Sequence, residues 1–145
     1  MFSSEFLTAE QKKAIVRAIG EAEDMTSGEI RVHIEPKCKG KEPLQRATEL
    51  FFKLGMNQTA AANGVLIYVA YEDHLFAIIG DEGINKVVPA TFWEGVKEVM
   101  RGHFQRNEFL EGIVFAVRET GSHLKQYFPI QKFDKNELTD EISEE

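Results

Sequence analysis

The stretch that decides the fold is NGVLIYVAYEDHLFAII, residues 63–79. Its first apolar run, residues 65–70, is continuous, which is typical of a strand covered on both faces of a sheet. Residues 71–74 follow as a turn, and a second apolar run occupies residues 75–79. Two apolar runs joined by so short a turn predict an antiparallel hairpin, with its first strand at the centre of the sheet.

Another strand is predicted upstream, at residues 29–35, where apolar and polar residues alternate. The alternation has a period of two, so we expect one buried face and one polar face. A helix is predicted before this strand, with Thr8 and Gln11 as a capping box, and a second helix after it, with Pro43 in its first turn. Strand, helix and strand in this order imply a parallel crossover of right-handed sense.

Two further helices are predicted after the hairpin, around residues 92–103 and 109–124, from apolar residues at helical spacing. The crossover and the hairpin together predict an α/β fold, in which a mixed sheet is sandwiched between helices. We assign residues 1–129 to this single domain. Residues 130–145 are assigned to an acidic C-terminal tail that we expect to be flexible or loosely docked.

The tail carries most of the net charge of −7. Residues 134–145 hold six carboxylates and one lysine, that is −5, which leaves −2 for the rest of the chain. A body so nearly neutral argues against nucleic acid and anionic membranes as partners. The tail is expected to be able to contact a protein partner, and its Leu138 and Ile142 to be able to anchor it on the body.

The chain shows no signal for export or membrane insertion. Its N-terminus lacks the basic and apolar regions of a signal peptide, and no apolar run reaches the roughly 18 residues that a membrane span needs. The single cysteine, Cys38, cannot form an internal disulfide, which agrees with a reducing compartment. We therefore expect a cytoplasmic protein without a membrane span.

Oxygen-bearing side chains are predicted to converge at one edge of the sheet. Glu29 begins the first strand and Asn63 precedes the second, which is parallel to it. Asp81 and Glu82 follow the third strand, which is antiparallel to the second and so ends at the same edge. Carboxylate, amide and loop carbonyl oxygens are the ligands that Ca²⁺ and Mg²⁺ prefer. The ligands predicted for such a cation are Asp81, Glu82 and Asn63, with Glu29 and Asn85 as outer or direct ligands.

The alternative interpretation of residues 80–83 is an ordinary solvated turn. We expect His33 to be a surface histidine, because no carboxylate partner can be assigned to it, and His103 to lie in the core. A cysteinyl-phosphate route is disfavoured, since no arginine follows Cys38 at the spacing of a phosphatase loop. The sequence also has no zinc-ligand spacing, Walker loop, G-x-S-x-G elbow or EF-hand.

Five sequence blocks, in their order and spacing, resemble the TPM domain family over about residues 7–128. The resemblance implies a mixed sheet between helices and an acidic cleft that can hold a divalent cation. The closing stretch NELTDEIS is similar to the tail of a short soluble bacterial branch of the family. The five blocks are LT (7–8), TSGEIRV (26–32), NGVLI (63–67), GDEGI (80–84) and FLEG (109–112).

Matched residue by residue, Asn63 and residues 81–83 fall on the loop blocks of the family. Ala62 and Asn85 stand where many members carry a carboxylate. Metal-assisted phosphoester hydrolysis needs both a placed cation and a placed water. The loss of these two carboxylates therefore weakens the case for hydrolysis more than the case for cation binding.

The family's known members include a thylakoid-lumen acid phosphatase, a nematode receptor-associated protein and many bacterial proteins without an assigned role. Three hypotheses therefore stand. The first is a TPM-type domain that binds Ca²⁺ or Mg²⁺, and the second is a metal-assisted acid phosphatase acting on phosphomonoesters. The third is a non-catalytic interaction module whose partner surface is Phe92, Trp93 or the acidic tail.

Overall fold

The computed structural model describes residues 6–89, 91–130 and 142–144. Its strands form one mixed sheet in the order β3-β2-β1-β4, in which β1 is parallel to β2 and to β4, and β2 is antiparallel to β3. The predicted α/β class is confirmed. In chain order the elements are α1 (Ala9–Glu23), β1 (Glu29–Glu35), α2 (Pro43–Lys53), a 3-10 turn (Met56–Gln58), β2 (Gly64–Ala70), β3 (Leu75–Gly80), α3 (Glu82–Asn85), α4 (Glu94–Gln105), α5 (Phe109–Tyr127) and β4 (Ser143–Glu144).

Helices cover both faces of the sheet. On one face, Ile30 and Val65 belong to an apolar core that also contains buried residues of α1, α4 and α5. On the other face, Leu66 and Tyr68 pack with buried residues of α2. All seven residues of β2 are buried, as expected for a central strand between two apolar layers.

β1 differs from the prediction, because both of its faces are buried. Only Arg31 is less than fully buried in this strand. The polar residues alternate as the sequence indicates, but their face lies under α2, where Arg46 forms an ion pair with Glu35. Polar side chains that satisfy one another can be buried, and the pattern of alternation alone does not distinguish that case from exposure to water.

Hydrogen bonds fix the start of the first helix and the end of the last one. The capping box is present, since Gln11 N–H donates to the Thr8 hydroxyl and the Gln11 side chain accepts from Thr8 N–H. At the other end, the Thr26 hydroxyl donates to the carbonyl of Phe128, and Ser27 N–H donates to the same oxygen at 2.9 Å. The end of α5 is therefore fixed beside the start of β1.

The last described residues dock on the body. Ile142 packs against the larger core, and Ser143 pairs with His33 in a parallel ladder, so the sequence analysis missed a short strand here. The other expected anchor, Leu138, lies outside the described residues. Of the helices in the ranges given above, none is long and apolar enough to cross a membrane.

Candidate functional site

The strand register brings the predicted ligand segments to one edge of the sheet. Glu29 is the ladder partner of Gly64 across the parallel pair, and its N–H donates to the carbonyl of Asn63 at 3.3 Å. From the other side, Asp81 N–H donates to the carbonyl of Gly64 at 2.9 Å. The backbones around residues 29, 63 and 81 are therefore direct neighbours, as the topology predicts.

Gly83 closes the loop before β2 onto the start of α3. Its N–H donates to the carbonyl of Ala62 at 2.8 Å. A Cβ at this position would lie 2.3 Å from the carbonyl oxygen of Ala61 and 2.5 Å from that of Ala62, so only glycine permits the approach. The carbonyl oxygens of Ala61 and Ala62 are thereby held beside Gly83.

Asp81 is the N-cap of the short helix α3, which the sequence did not predict. One carboxylate oxygen, Oδ1, accepts the N–H of Glu82 at 2.7 Å. The other oxygen, Oδ2, is buried and has no hydrogen-bond donor among the described residues. The capping hydrogen bond accounts for the position of Oδ1, but it gives no reason for the burial of Oδ2.

Asn63 is 1% exposed, although its side chain is polar. Its amide nitrogen Nδ2 donates to the hydroxyl of Ser27 at 3.3 Å. Its amide oxygen Oδ1 is buried, and no donor in the described ranges reaches it. Asn63 and Asp81, two of the five predicted ligands, therefore each place an unpartnered oxygen in the interior.

The other three predicted ligands are arranged differently. Glu82 is exposed on the first turn of α3, and Asn85 is exposed at its end, with Nδ2 donating to the carbonyl of Gly80 at 3.1 Å. Glu29 is buried at the start of β1. Across the residues that the structure describes, no three His, Cys, Asp or Glu side chains come together to hold a metal ion. Glu29, Asp81 and Glu82 therefore do not form a carboxylate cluster.

A second polar cluster, under α2, was missed in the sequence. Arg46 donates to both carboxylate oxygens of Glu35, each at 2.8 Å, and the hydroxyl of Tyr68 donates to Glu35 as well. Burial raises the pKa of Glu35, but the hydrogen bonds from Arg46 and Tyr68 and the charge of Arg46 outweigh it. The pKa of Glu35 therefore lies below its ordinary value of 4.5. Burial and the hydrogen bond to Glu35 raise the pKa of Tyr68.

The prediction for His33 is wrong, because this side chain is fully buried in the same cluster. Its Nδ1 lies 2.9 Å from the hydroxyl of Ser143 in β4, and its Nε2 lies 3.4 Å from Glu35. The first partner is 110 residues away in the sequence, so no local pattern could reveal it. The alternation in β1 does place His33 and Glu35 on the same face of the strand, which indicates that the two side chains could be partners.

His103 is also placed differently from the prediction. It is partly exposed at the edge of the core, and its Nδ1 lies 2.8 Å from a carboxylate oxygen of Glu108. Hydrogen bonds from His103 and Arg106 lower the pKa of Glu108. These three side chains lie at the turn between α4 and α5, and none of them is among the predicted ligands.

The sequence model of the TPM domain matches residues 2–123. The chain belongs to the TPM domain family. The NMR structure of the BA42 protein from the psychrophilic bacterium Bizionia argentinensis resembles this TPM domain with a TM-score of 0.93 and 45% sequence identity, over 99% of each chain. The search of the curated proteins finds no match.

A more distant solved structure shares the fold of this TPM domain. The N-terminal domain of the cg2496 protein from Corynebacterium glutamicum superposes with a TM-score of 0.65, over 81% of this chain and 73% of that one. Its sequence identity is 13%, so the likeness concerns the fold alone.

Proposed function

We propose that this TPM domain binds a divalent cation, Ca²⁺ or Mg²⁺, at the edge formed by Asn63 and Asp81. The observation that carries the proposal is the pair of buried oxygens, Asn63 Oδ1 and Asp81 Oδ2, without a hydrogen-bond donor in the described ranges. Each unpaired buried acceptor costs about 1–3 kcal/mol. A bound cation offsets that cost, because it takes the place of the absent donors.

The atoms that could coordinate a cation at this edge are all hard oxygens. Asn63 and Asp81 are proposed as direct ligands, and Glu29, Glu82 and Asn85 as outer or direct ligands. Ca²⁺ accepts six to eight oxygens in flexible geometry and often uses backbone carbonyls, so the carbonyl-rich loop at residues 61–64 suits it. Mg²⁺ keeps several waters and would use fewer protein oxygens.

The test is an amide-shift titration of the chelator-treated full chain with Ca²⁺ and, separately, with Mg²⁺. We expect saturable shifts confined to residue 29 and to residues 61–64 and 80–85. Asp81→Asn should abolish them, and because Asn is as good an N-cap as Asp, helix α3 should be retained. Glu72→Gln, which removes an exposed carboxylate in the turn at the opposite edge, should bind as the wild type does.

Thermal unfolding provides an independent readout. A cation that binds only the folded state raises the unfolding midpoint with the logarithm of its concentration once that concentration exceeds Kd, and this rise should be lost in Asp81→Asn. If millimolar cation shifts no amide at this edge, or if Asp81→Asn binds unchanged, the proposal is wrong. The absence of shifts would mean that the acidic edge is a solvated turn, and the interaction-module hypothesis would become the leading one. Unchanged binding in Asp81→Asn would mean that the cation binds through other residues.

Phosphomonoester hydrolysis at the same edge stays a separate prediction. Neither residues 61–64 nor residues 80–85 contain a histidine or a cysteine. Carboxylates would therefore have to position the attacking water and move its proton beside the cation. Turnover of a chromogenic phosphomonoester that is lost both with chelator and in Asp81→Asn would support this activity, whereas turnover that survives in the variant would indicate a contaminant.

A further inference from the structure

A cavity lies at the end of the sheet opposite Asn63 and Asp81, beside the β2–β3 turn. The cavity has a volume of about 510 Å³, within the range of small-molecule sites. It lies between the first turn of α2, strand β3, helix α4 and the start of α5. Its walls are mainly apolar, and they include Leu44, Phe76, Phe104 and Phe109.

The charged residues that line this cavity are cationic. Lys97 and Arg101 are one turn apart on α4, and no Asp or Glu is among the described lining residues. Lys97 has an exposed carboxylate partner outside the lining, Glu94, at 3.9 Å. A cavity whose charged lining residues are all cationic is complementary to an anion. Its lining therefore combines a large apolar wall with a cationic rim.

Arg101 is placed where it can serve both parts of a ligand. Its guanidinium carbon lies 5.8 Å from the ring centre of Phe76, so the charged group is held over the apolar wall. Its carboxylate partner, Glu98, is an exposed residue on the same helix, with the two groups 3.1 Å apart. Exposed pairs of this kind contribute little, so a ligand carboxylate can replace Glu98 readily.

The mouth of the cavity exposes apolar surface. Leu44 is 56% exposed and Leu75 is 40% exposed, and both line it. An unbranched apolar chain between them would remove this surface from water. Arginine binds a carboxylate through two parallel hydrogen bonds, so a carboxylate headgroup fits the rim better than a neutral one.

We propose that this cavity binds a small anionic amphiphile, a carboxylate on an unbranched apolar chain. The carboxylate lies at Lys97 and Arg101, and the chain lies against Phe76 and Phe104. This site is at the sheet end remote from Asn63 and Asp81, so it does not depend on cation binding.

The test uses decanoate as the probe, below its micelle concentration, with decanol as the neutral match. Amide-shift titration of the full chain should give saturable decanoate shifts at residues 44, 75–77 and 97–105, with decanol at least tenfold weaker. Arg101→Gln should weaken decanoate about tenfold or more, because it removes a charge-assisted hydrogen bond, and should leave decanol unchanged. Lys125→Gln, on the exposed side of α5, should change neither affinity.

Leu75→Glu is a second variant, because it places a carboxylate at an exposed position of the rim. It should weaken decanoate and leave the fold intact. Equal binding of decanoate and decanol, unsaturable shifts over the whole surface, or unchanged binding in both cavity variants would overturn the proposal.

Two other occupants are tested in the same experiment. Phe6 stacks on Tyr71 at 4.4 Å and packs edge-on against Phe109, and both of these residues line the cavity. A variant lacking residues 2–5 should therefore be titrated as well. If only this variant binds decanoate, the cavity belongs to the chain's own N-terminal segment. If the cavity amides shift with protein concentration alone, it belongs to a second copy. Either result would overturn the proposal.

Discussion

Replacing Arg46 with methionine should test what holds the polar cluster under α2 together. The Glu35 side chain is 0% exposed and that of Arg46 is 9% exposed, and two hydrogen bonds of 2.8 Å join them. In Arg46→Met the carboxylate stays buried, and Tyr68 and His33 are the partners that remain to it among the described residues. Breaking a buried pair by removing one partner costs about 3–5 kcal/mol, a large part of the roughly 5–15 kcal/mol of a whole domain.

The loss should depend on pH in a characteristic way. In the wild type the pKa of Glu35 lies below 4.5, so its contribution to stability is fully present above pH 4.5 and is lost as the pH falls through the folded-state pKa. Without Arg46, burial dominates and raises the pKa of Glu35 above its ordinary value. The variant therefore loses stability as the pH rises through that raised pKa, so the difference between the two proteins is largest at pH 7 and shrinks toward pH 4.

Urea unfolding at pH 4, 5, 6 and 7 measures this difference directly. Arg106→Met is the matched control, because Arg106 is exposed and pairs with Glu108 on the surface. The control should lose no more than about 1 kcal/mol at any of these pH values. A loss in Arg46→Met that is below about 1 kcal/mol at pH 7, or that is the same at pH 4 and pH 7, would refute the reasoning.

Three further changes have expected outcomes in urea or thermal unfolding. Gly83→Ala should destabilise the folded protein by about 1–3 kcal/mol, because the new Cβ would overlap two carbonyl oxygens. In Gly102→Ala the new Cβ would meet only Arg106 Nη1, at 3.5 Å, so this variant should be more stable by about 0.5–1 kcal/mol. Equal changes in stability in the two variants would contradict the close approach of the Ala61 and Ala62 carbonyls to Gly83. Thr8→Ala should cost about 1 kcal/mol by removing the capping box, and no loss would mean that the first turn of α1 frays. Tyr68→Phe should cost about 1–3 kcal/mol and raise the pKa of Glu35, which carboxyl NMR shifts would report.

The fold could be predicted from the sequence because its decisive signals are local. The continuous run of β2, the short turn and the run of β3 specify a hairpin, and the alternation in β1 specifies a strand. The short strand β4 could not be predicted in this way. Only two residues of it pair with β1, and its partner His33 lies 110 residues earlier in the sequence, so neither a period nor a turn signal marks it.

The candidate site was predictable in outline for a different reason. Parallel and antiparallel pairing fix which strand ends share an edge, so the juxtaposition of Asn63 and Asp81 follows from topology alone. The roles of individual side chains do not follow from it. The sequence cannot tell that Asp81 uses one oxygen to cap α3, that Asn85 binds the carbonyl of Gly80, or that Glu29 is buried, because these depend on the path of a loop.

The balance of donors and acceptors distinguishes the two polar ends of the β1–β2 pair. At the end near Glu35, both carboxylate oxygens receive hydrogen bonds from Arg46 and one of them a further bond from Tyr68, so the acceptors are matched by donors from the chain itself. At the end near Asn63, buried amide and carboxylate oxygens lack a donor in the described ranges. Buried polar groups are normally satisfied, and a matched cluster needs no ligand. The Glu35 cluster is therefore complete without a ligand, whereas the unmatched oxygens of Asn63 and Asp81 are the reason that we propose a cation at that end and not at the other.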